Sequence, residues 1–185
     1  HAAPRGEVPE WLRRLSYDDL RRITFDGRRS LWLNDGPAFA VQFLHPGFLF
    51  DRSVRLNETV AGQVRPLPFR REYFNYHGIE SGGIPSGMGF AGFRLMYPWK
   101  GRGTPPAEIG SFAGASYFRF LGRGQRYGLS ARALAINAGG DGEEFPFFRE
   151  FWIETPELAT LADSITGQRV WRCGYVGNDR ADVTV

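Results

Sequence analysis

The sequence predicts an all-β domain that follows a short helical N-terminal segment. Glycine and proline, with 24 and 12 residues among 185, form about a fifth of the chain against an average nearer ~12%, which is typical of many turns between short strands. From Leu31 onward, apolar residues recur with a period of two. The 16 phenylalanines supply a large aromatic core, and the length suits a single domain.

Residues 1–30 are predicted to be the helical segment and residues 31–185 the β domain. Apolar residues recur at helical spacing between Pro9 and Ile23, and one kinked helix or two short helices fit this pattern equally well. Ser16 is placed to cap a helix with Asp19 three residues later. The acidic pair Asp18–Asp19 is interpreted as a first-turn complement to the helix dipole rather than as a catalytic pair.

The first strands are predicted between residues 39 and 97. Phe39, Val41 and Phe43 would share one strand face, with Ala40, Gln42 and Leu44 on the other. His45 begins the break that follows and is interpreted as a structural turn residue. The segments 54–60 and 62–67 predict a hairpin, and 89–97 predicts a strand. A loop is predicted at 78–87, and His77, where this loop begins, has no metal-ligand partner at suitable spacing.

The second half of the chain predicts long strands at Ser111–Leu121 and Leu129–Ile136. Phe145–Ile153, aromatic on both faces, predicts a strand buried between two sheets. The tail continues this rhythm of strands and turns at 158–163, 168–175 and 181–185.

Composition excludes several classes of function. The net charge is +3, but the arginines are scattered along the chain, whereas a nucleic-acid binder gathers its positive charge on one face. Cys173 is the only cysteine, so an internal disulfide and a cysteine-based zinc site are excluded. We expect no metal and no cofactor. No apolar run approaches the roughly 20 residues that a membrane span needs.

Two motifs resemble functional motifs, but their sequence context disfavours the corresponding function. Gly122–Gly128 has the outward form of a dinucleotide loop, but a strand-like run follows where a helix is required, so a hairpin turn is predicted. Glu143 and Glu144 are adjacent, and neighbouring side chains on an extended chain point to opposite faces, which disfavours a glycosidase pair. Either glutamate could form an ion pair with Arg132 or Arg149, or contact a ligand.

Aromatic residues interleaved with arginines indicate a candidate carbohydrate surface between Tyr117 and Trp152. Aromatic rings stack on the apolar faces of sugars, while arginine and glutamate hydrogen-bond hydroxyl groups. The phenylalanines in this stretch are interpreted as core. The candidate substrate-binding residues are Tyr117, Arg119, Glu144, Arg149 and Trp152. No catalytic residue is assigned.

Long ordered motifs carry a family resemblance. The runs GFAGFRLMYP, FAGASYFRFLGRGQRYGLSARALAI and GEEFPFFREFWIETP resemble the periplasmic osmoregulated-glucan biosynthesis proteins of the MdoG/OpgG and OpgD type, and the likeness extends from about Tyr17 to Pro156. It implies export to the periplasm, a galactose-mutarotase-like β-sandwich with a cleft, and action on glucans with a β-1,2-linked backbone.

The resemblance leaves three hypotheses about function. Family members are longer than this chain, and the aspartates assigned to acid and base roles in the family lie downstream of this segment. We therefore expect a glucan-binding part of the sandwich. The alternatives are an active endo-β-1,2-glucanase that uses Glu143 or Glu144, and a non-catalytic interaction module that pairs with a second copy or with a missing second half through an unfinished sheet.

Overall fold

The computed structural model describes residues 8–33, 39–100, 104–122, 124, 126 and 130–155. It opens with two short helices, α1 (Glu10–Arg13) and α2 (Tyr17–Arg22). The Ser16 hydroxyl accepts a hydrogen bond from the Asp19 amide at 3.1 Å and donates one to the Asp19 carboxylate at 2.7 Å. The predicted cap is confirmed, and the chain forms two helices rather than a single kinked one. Leu12 of α1 is fully buried in the same core as the strands.

One sheet has three strands and contains the predicted hairpin. The strands β3 (Arg55–Val60) and β4 (Gln63–Leu67) are antiparallel, and β10 (Glu150–Glu154) runs parallel to β3. Ala61 and Gly62 connect β3 to β4 with positive φ angles of 47° and 78°. Two positive φ angles are the signature of a type I′ turn, whose twist matches that of the strands it joins.

A five-stranded antiparallel sheet forms the second layer. From one edge of this sheet to the other, the strands are β2 (Ala40–Leu44), β6 (Gly92–Tyr97), β7 (Ala107–Ala113), β8 (Tyr117–Phe120) and β9 (Ala131–Arg132). Two further strands of two residues each, β1 (Thr24–Phe25) and β5 (Phe74–Asn75), form an antiparallel pair that contributes Phe25 and Phe74 to the core. Short 3₁₀ helices occupy Gly27–Arg29 and Arg71–Tyr73.

The two sheets pack face to face through phenylalanines, so the fold is an all-β sandwich as predicted. The Phe151 ring of β10 lies 5.1 Å from the Phe93 ring and 5.7 Å from the Phe112 ring, measured between centroids. Leu56 and Ile153 share the inner face with Phe151 and are almost fully buried. The backbone of Phe90, which is fully buried, pairs with that of Val54. Phe90 precedes β6 and Val54 precedes β3, so this bridge connects the two sheets.

His45, which was predicted as a structural turn residue, follows β2 and is buried in this core. Its Nδ1 lies 2.6 Å from the Pro46 carbonyl oxygen and its Nε2 lies 3.1 Å from the Tyr76 hydroxyl. The rings of Phe69 and Phe74 meet the imidazole edge-on. Burial lowers the pKa of His45 to about 4, against a smaller opposing effect of the Pro46 hydrogen bond. The neutral ring is therefore a donor at Nδ1 and an acceptor at Nε2.

Three strand predictions were wrong in extent. Ser111–Leu121 is not one strand, because a turn at Gly114–Ser116 separates β7 from β8. Of Leu129–Ile136, only Ala131–Arg132 forms a strand within the described residues, and these side chains are exposed, so the apolar alternation there buries nothing. Phe145–Ile153 becomes a strand only at Glu150. The predicted strands after residue 155, and Cys173, lie outside the described residues.

Candidate functional site

A row of polar side chains crosses the outer face of the five-stranded sheet. The strand registers pair Gln42 with Arg94, Arg94 with Ser111, and Ser111 with Arg119. Directly opposed residues of antiparallel strands lie on the same face. The neighbouring register row, Phe43 with Phe93, Phe112 and Phe118, lies on the inner face. The four polar residues thus stand on the side away from the core.

Glu108 joins this row because of a β-bulge. The pairing of β6 with β7 shifts between Leu95 and Met96, so that Leu95 opposes Gly110 and Met96 opposes Glu108. Strict alternation from Ser111 would place Glu108 on the inner face with Gly110. The bulge at Ile109 reverses the alternation and brings Glu108 to the outer face. We call Gln42, Arg94, Glu108, Ser111 and Arg119 the polar row.

The polar row is one connected network of hydrogen bonds and ion pairs. Arg94 Nε donates to Gln42 Oε1 at 3.0 Å, and Arg119 Nε donates to Ser111 Oγ at 3.2 Å. Glu108 Oε1 accepts a hydrogen bond from Arg119 Nη2 at 2.9 Å. The other carboxylate oxygen, Oε2, forms an ion pair with Arg94 Nη1 at 3.6 Å. These contacts hold two planar guanidinium groups beside one carboxylate.

Two members of the polar row are anchored in the fold. Gln42 and Ser111 are buried. Gln42 Nε2 donates to Ser30 Oγ at 3.1 Å, and Ser30 Oγ donates to the Gly27 carbonyl at 2.7 Å. The arginine side chains are about one-third exposed, 31% for Arg94 and 34% for Arg119. Buried groups therefore alternate along the row with partly exposed arginine donors, and such donors suit the recognition of a polar ligand.

Tyr117 stands beside the polar row on the same face. It is two residues from Arg119 on β8 and pairs with Ala113 and Arg132. Gly92 lies beyond Ala113 in this second row, and a β-carbon there would be 2.0 Å from the Phe112 carbonyl oxygen. The Arg132 guanidinium lies 4.0 Å from the centre of the Phe145 ring. On one side Tyr117 thus has the small, buried residues Ala113 and Gly92 as row neighbours, and on the other side it has Arg132.

Trp152 and Arg149 belong to the other sheet. Trp152 alternates with the inward-facing Phe151, so it lies on the outer side of the three-stranded sheet, opposite Asn57. Beside it, Glu150 accepts hydrogen bonds from Arg55 at 2.8 Å and from Asn57 at 2.9 Å. Arg149 precedes this strand, and its carbonyl accepts from the Arg55 amide. The sandwich therefore separates Trp152 from Tyr117 and Arg119.

Glu144 lies in the exposed segment that precedes β10. Its backbone pairs with Ile136 in an isolated bridge. The neighbouring Glu143 accepts a hydrogen bond from the Gly139 amide at 2.7 Å. The five predicted substrate-binding residues thus fall into one pair on the polar face, two residues at the other sheet, and one in a loop.

Sequence reasoning missed four members of the polar row as site residues: Gln42, Arg94, Glu108 and Ser111. The signal for two of them was present, because Gln42 and Arg94 are single polar residues inside the apolar strands AVQFL and GFRLMY. Their alignment depends on strand order, which alternation alone does not give. The described residues contain no cluster of three or more potential metal ligands, and no helix in that part of the chain is long and apolar enough to cross a bilayer.

Comparison with known proteins decides the family. Residues 1–166 match the sequence profile of the family described as periplasmic glucan biosynthesis protein, MdoG. The chain belongs to the MdoG family. It is 42% identical over 159 residues to "Glucans biosynthesis protein G" of Dickeya dadantii strain 3937, covering 85% of this chain and 30% of the relative.

Other MdoG relatives show the same partial coverage. The chain is 42% identical over 157 residues to the protein of that name in Pectobacterium carotovorum, and 42% identical over 157 residues to that in Rhodopseudomonas palustris. These matches cover 84% of this chain and 30% or 31% of the relatives. The chain thus spans about a third of the length of the curated MdoG proteins that it matches.

Proposed function

We propose that this chain supplies a glucan-binding face of a periplasmic protein in glucan biosynthesis, and that the face is the polar row together with Tyr117. The observation that carries the proposal is the network of Arg94, Glu108 and Arg119 on the outside of a sheet. Its planar donors and acceptors match sugar hydroxyl groups, and Tyr117 offers a ring for stacking on a sugar.

Membership of the MdoG family supports the choice of ligand. The family description and the printed names of the relatives both refer to glucan biosynthesis. The resemblance in sequence motifs adds a β-1,2-linked backbone and a periplasmic location to this proposal. A linear β-1,2-glucan is therefore the ligand to test first.

Calorimetric titration of the 185-residue chain with linear β-1,2-glucan oligosaccharides tests the proposal. We expect binding by the wild-type chain and at least a tenfold loss of affinity in Arg119→Ala and in Tyr117→Ala. The loss follows from the removal of a charge-assisted donor, worth roughly 1.5–3 kcal/mol, or of a stacking surface, worth roughly 0.5–1.5 kcal/mol in addition to the apolar area that it buries.

Arg55→Ala is the matched control for Arg119→Ala. Arg55 also forms an ion pair with a glutamate on the outside of a sheet, Glu150, but on the opposite side of the sandwich. We expect its affinity for glucan to equal that of the wild type. A folded wild-type chain that binds no glucan would refute the proposed function.

A further inference from the structure

Glu108 reaches the outer face only through the bulge at Ile109, and there it lies between two arginines. Its carboxylate is largely shielded, with 18% of the side chain exposed, and it contacts Arg119 through one oxygen and Arg94 through the other. The carboxylate therefore takes up the space where an external anion would bridge the two guanidinium groups.

The charge of the row depends on this one residue. Arg94 and Arg119 carry two positive charges, and Glu108 is the carboxylate with which both form ion pairs. Paired arginines without an intervening carboxylate form a site for phosphate, sulfate or carboxylate groups. While the Glu108 carboxylate is in place, an external anion that approached the two arginines would be repelled by the negative charge of Glu108.

We propose that Glu108 determines the specificity of this face: it reserves Arg94 and Arg119 for neutral, hydroxyl-bearing ligands and excludes anionic ones. The inference rests on the proposed function for the identity of the neutral ligand. It extends that function by assigning the discrimination between uncharged and anionic ligands to a single side chain placed by a backbone irregularity.

Anion binding by Glu108→Gln tests the inference directly. Glutamine keeps the length of the side chain and an acceptor oxygen but removes the charge. Inorganic sulfate is titrated into the wild-type and variant chains at constant ionic strength, and the Nε–Hε signals of arginine are followed by NMR. We expect the affinity of Glu108→Gln for sulfate to rise at least fivefold, with the largest shifts at two arginine signals that Arg94→Lys and Arg119→Lys assign.

Glu150→Gln is the matched control, since Glu150 pairs with Arg55 on the opposite side of the sandwich. We expect it to bind sulfate as weakly as the wild type does. Equal sulfate affinity in Glu108→Gln and the wild type would contradict the inference. Glu108→Ala provides a second variant, and loss of the folded state in both variants would also contradict the inference, because it would assign Glu108 a structural role.

Titration of the same proteins with linear β-1,2-glucan separates the inference from the proposed function. If Glu108→Gln gains sulfate binding while no chain binds glucan, the role of Glu108 in anion exclusion is supported and the proposed function is refuted. If the wild type binds glucan but Glu108→Gln gains no sulfate binding, the proposed function is supported and the inference is refuted.

Discussion

At the scale of single residues, His45 shows how burial fixes a charge state. The imidazole packs against the rings of Phe69, Phe74 and Tyr76, and its two nitrogens already have hydrogen-bond partners. A proton added at Nε2 would replace the acceptor that faces the Tyr76 hydroxyl. The core is therefore built for the neutral ring.

The stability of the domain should fall as the pH is lowered from about 6.5 to about 4. Burial lowers the pKa of His45 in the folded chain to about 4, below the value of 6.5 of an exposed histidine. The unfolded state therefore binds the proton first, and the stabilisation present above pH 6.5 is lost through this window. The loss amounts to about 3 kcal/mol, and urea unfolding across this pH range measures it.

His45→Gln is the control, because glutamine keeps polar atoms but does not titrate. The unfolding free energy of His45→Gln should be lower than that of the wild type at pH 7. It should also depend less on pH between pH 6.5 and 4. Asp19 and Asp26 have pKa values lowered by hydrogen bonds from Ser16 and Arg28, respectively, so their contribution is lost only at lower pH. An equally steep slope in His45→Gln would contradict the account of His45.

Gly92 is a second residue whose identity is fixed by its surroundings. Its φ is 150°, and an added β-carbon would lie 2.0 Å from the backbone oxygen of Phe112. Gly92→Ala should therefore separate β6 from β7 and destabilise the fold by more than about 2 kcal/mol. Gly87→Ala, with open space around its β-carbon, should change stability by less than about 0.5 kcal/mol. Thermal unfolding compares the two.

At the scale of elements, local patterns predicted structure where the chain needs no distant partner. Ser16 and Asp19 are three residues apart, and the β3–β4 hairpin closes over the adjacent residues Ala61 and Gly62. Both features were predicted because their determinants lie within a few residues of each other.

Elements that depend on tertiary contacts were not predictable in the same way. Ser116 is fully buried with a φ of 52°, and its hydroxyl donates to the Leu134 carbonyl at 3.0 Å. That contact stabilises the turn which divides Ser111–Leu121. Likewise, strict alternation would place Glu108 on the inner face, and the bulge that brings it to the outer face depends on the pairing of β7 with β6.

The β3–β4 turn offers a stabilising substitution. Ala61 adopts a φ of 47°, which is unfavourable for alanine and is tolerated by asparagine. Ala61→Asn should raise the free energy of unfolding by up to about 1 kcal/mol. Ala133→Asn is the control, since Ala133 is exposed and does not have a positive φ. A gain in the control equal to that of Ala61→Asn would contradict the turn assignment.

At the scale of the whole molecule, Phe151 connects the two sheets. Its ring contacts those of Phe93, Phe112 and Phe148 and is 1% exposed. Phe151→Ala should cost about 3–5 kcal/mol, whereas Trp152→Ala, on the outside of the same strand, should cost less. Urea unfolding followed by circular dichroism and by fluorescence should show one shared transition, and separate transitions would contradict a single sandwich core.

The separation of the predicted site residues is also a property of the whole molecule. Tyr117 and Arg119 were predicted together with Trp152 because the sequence places all three within one aromatic stretch. The sandwich divides them between two outer faces, and this follows from Phe118 and Phe151 both pointing inward. The sequence could identify suitable side chains, but only strand pairing could show which of them share a surface.

The most direct test of the central claim is to map glucan binding onto the two faces by NMR. Backbone amide shifts of the 185-residue chain are recorded during titration with linear β-1,2-glucan. We expect shifts concentrated on β6, β7 and β8 around Arg94, Glu108 and Arg119, with little change around Asn57 and Trp152. Shifts confined to β3 and β10, or no shifts in a folded chain, would contradict the central claim.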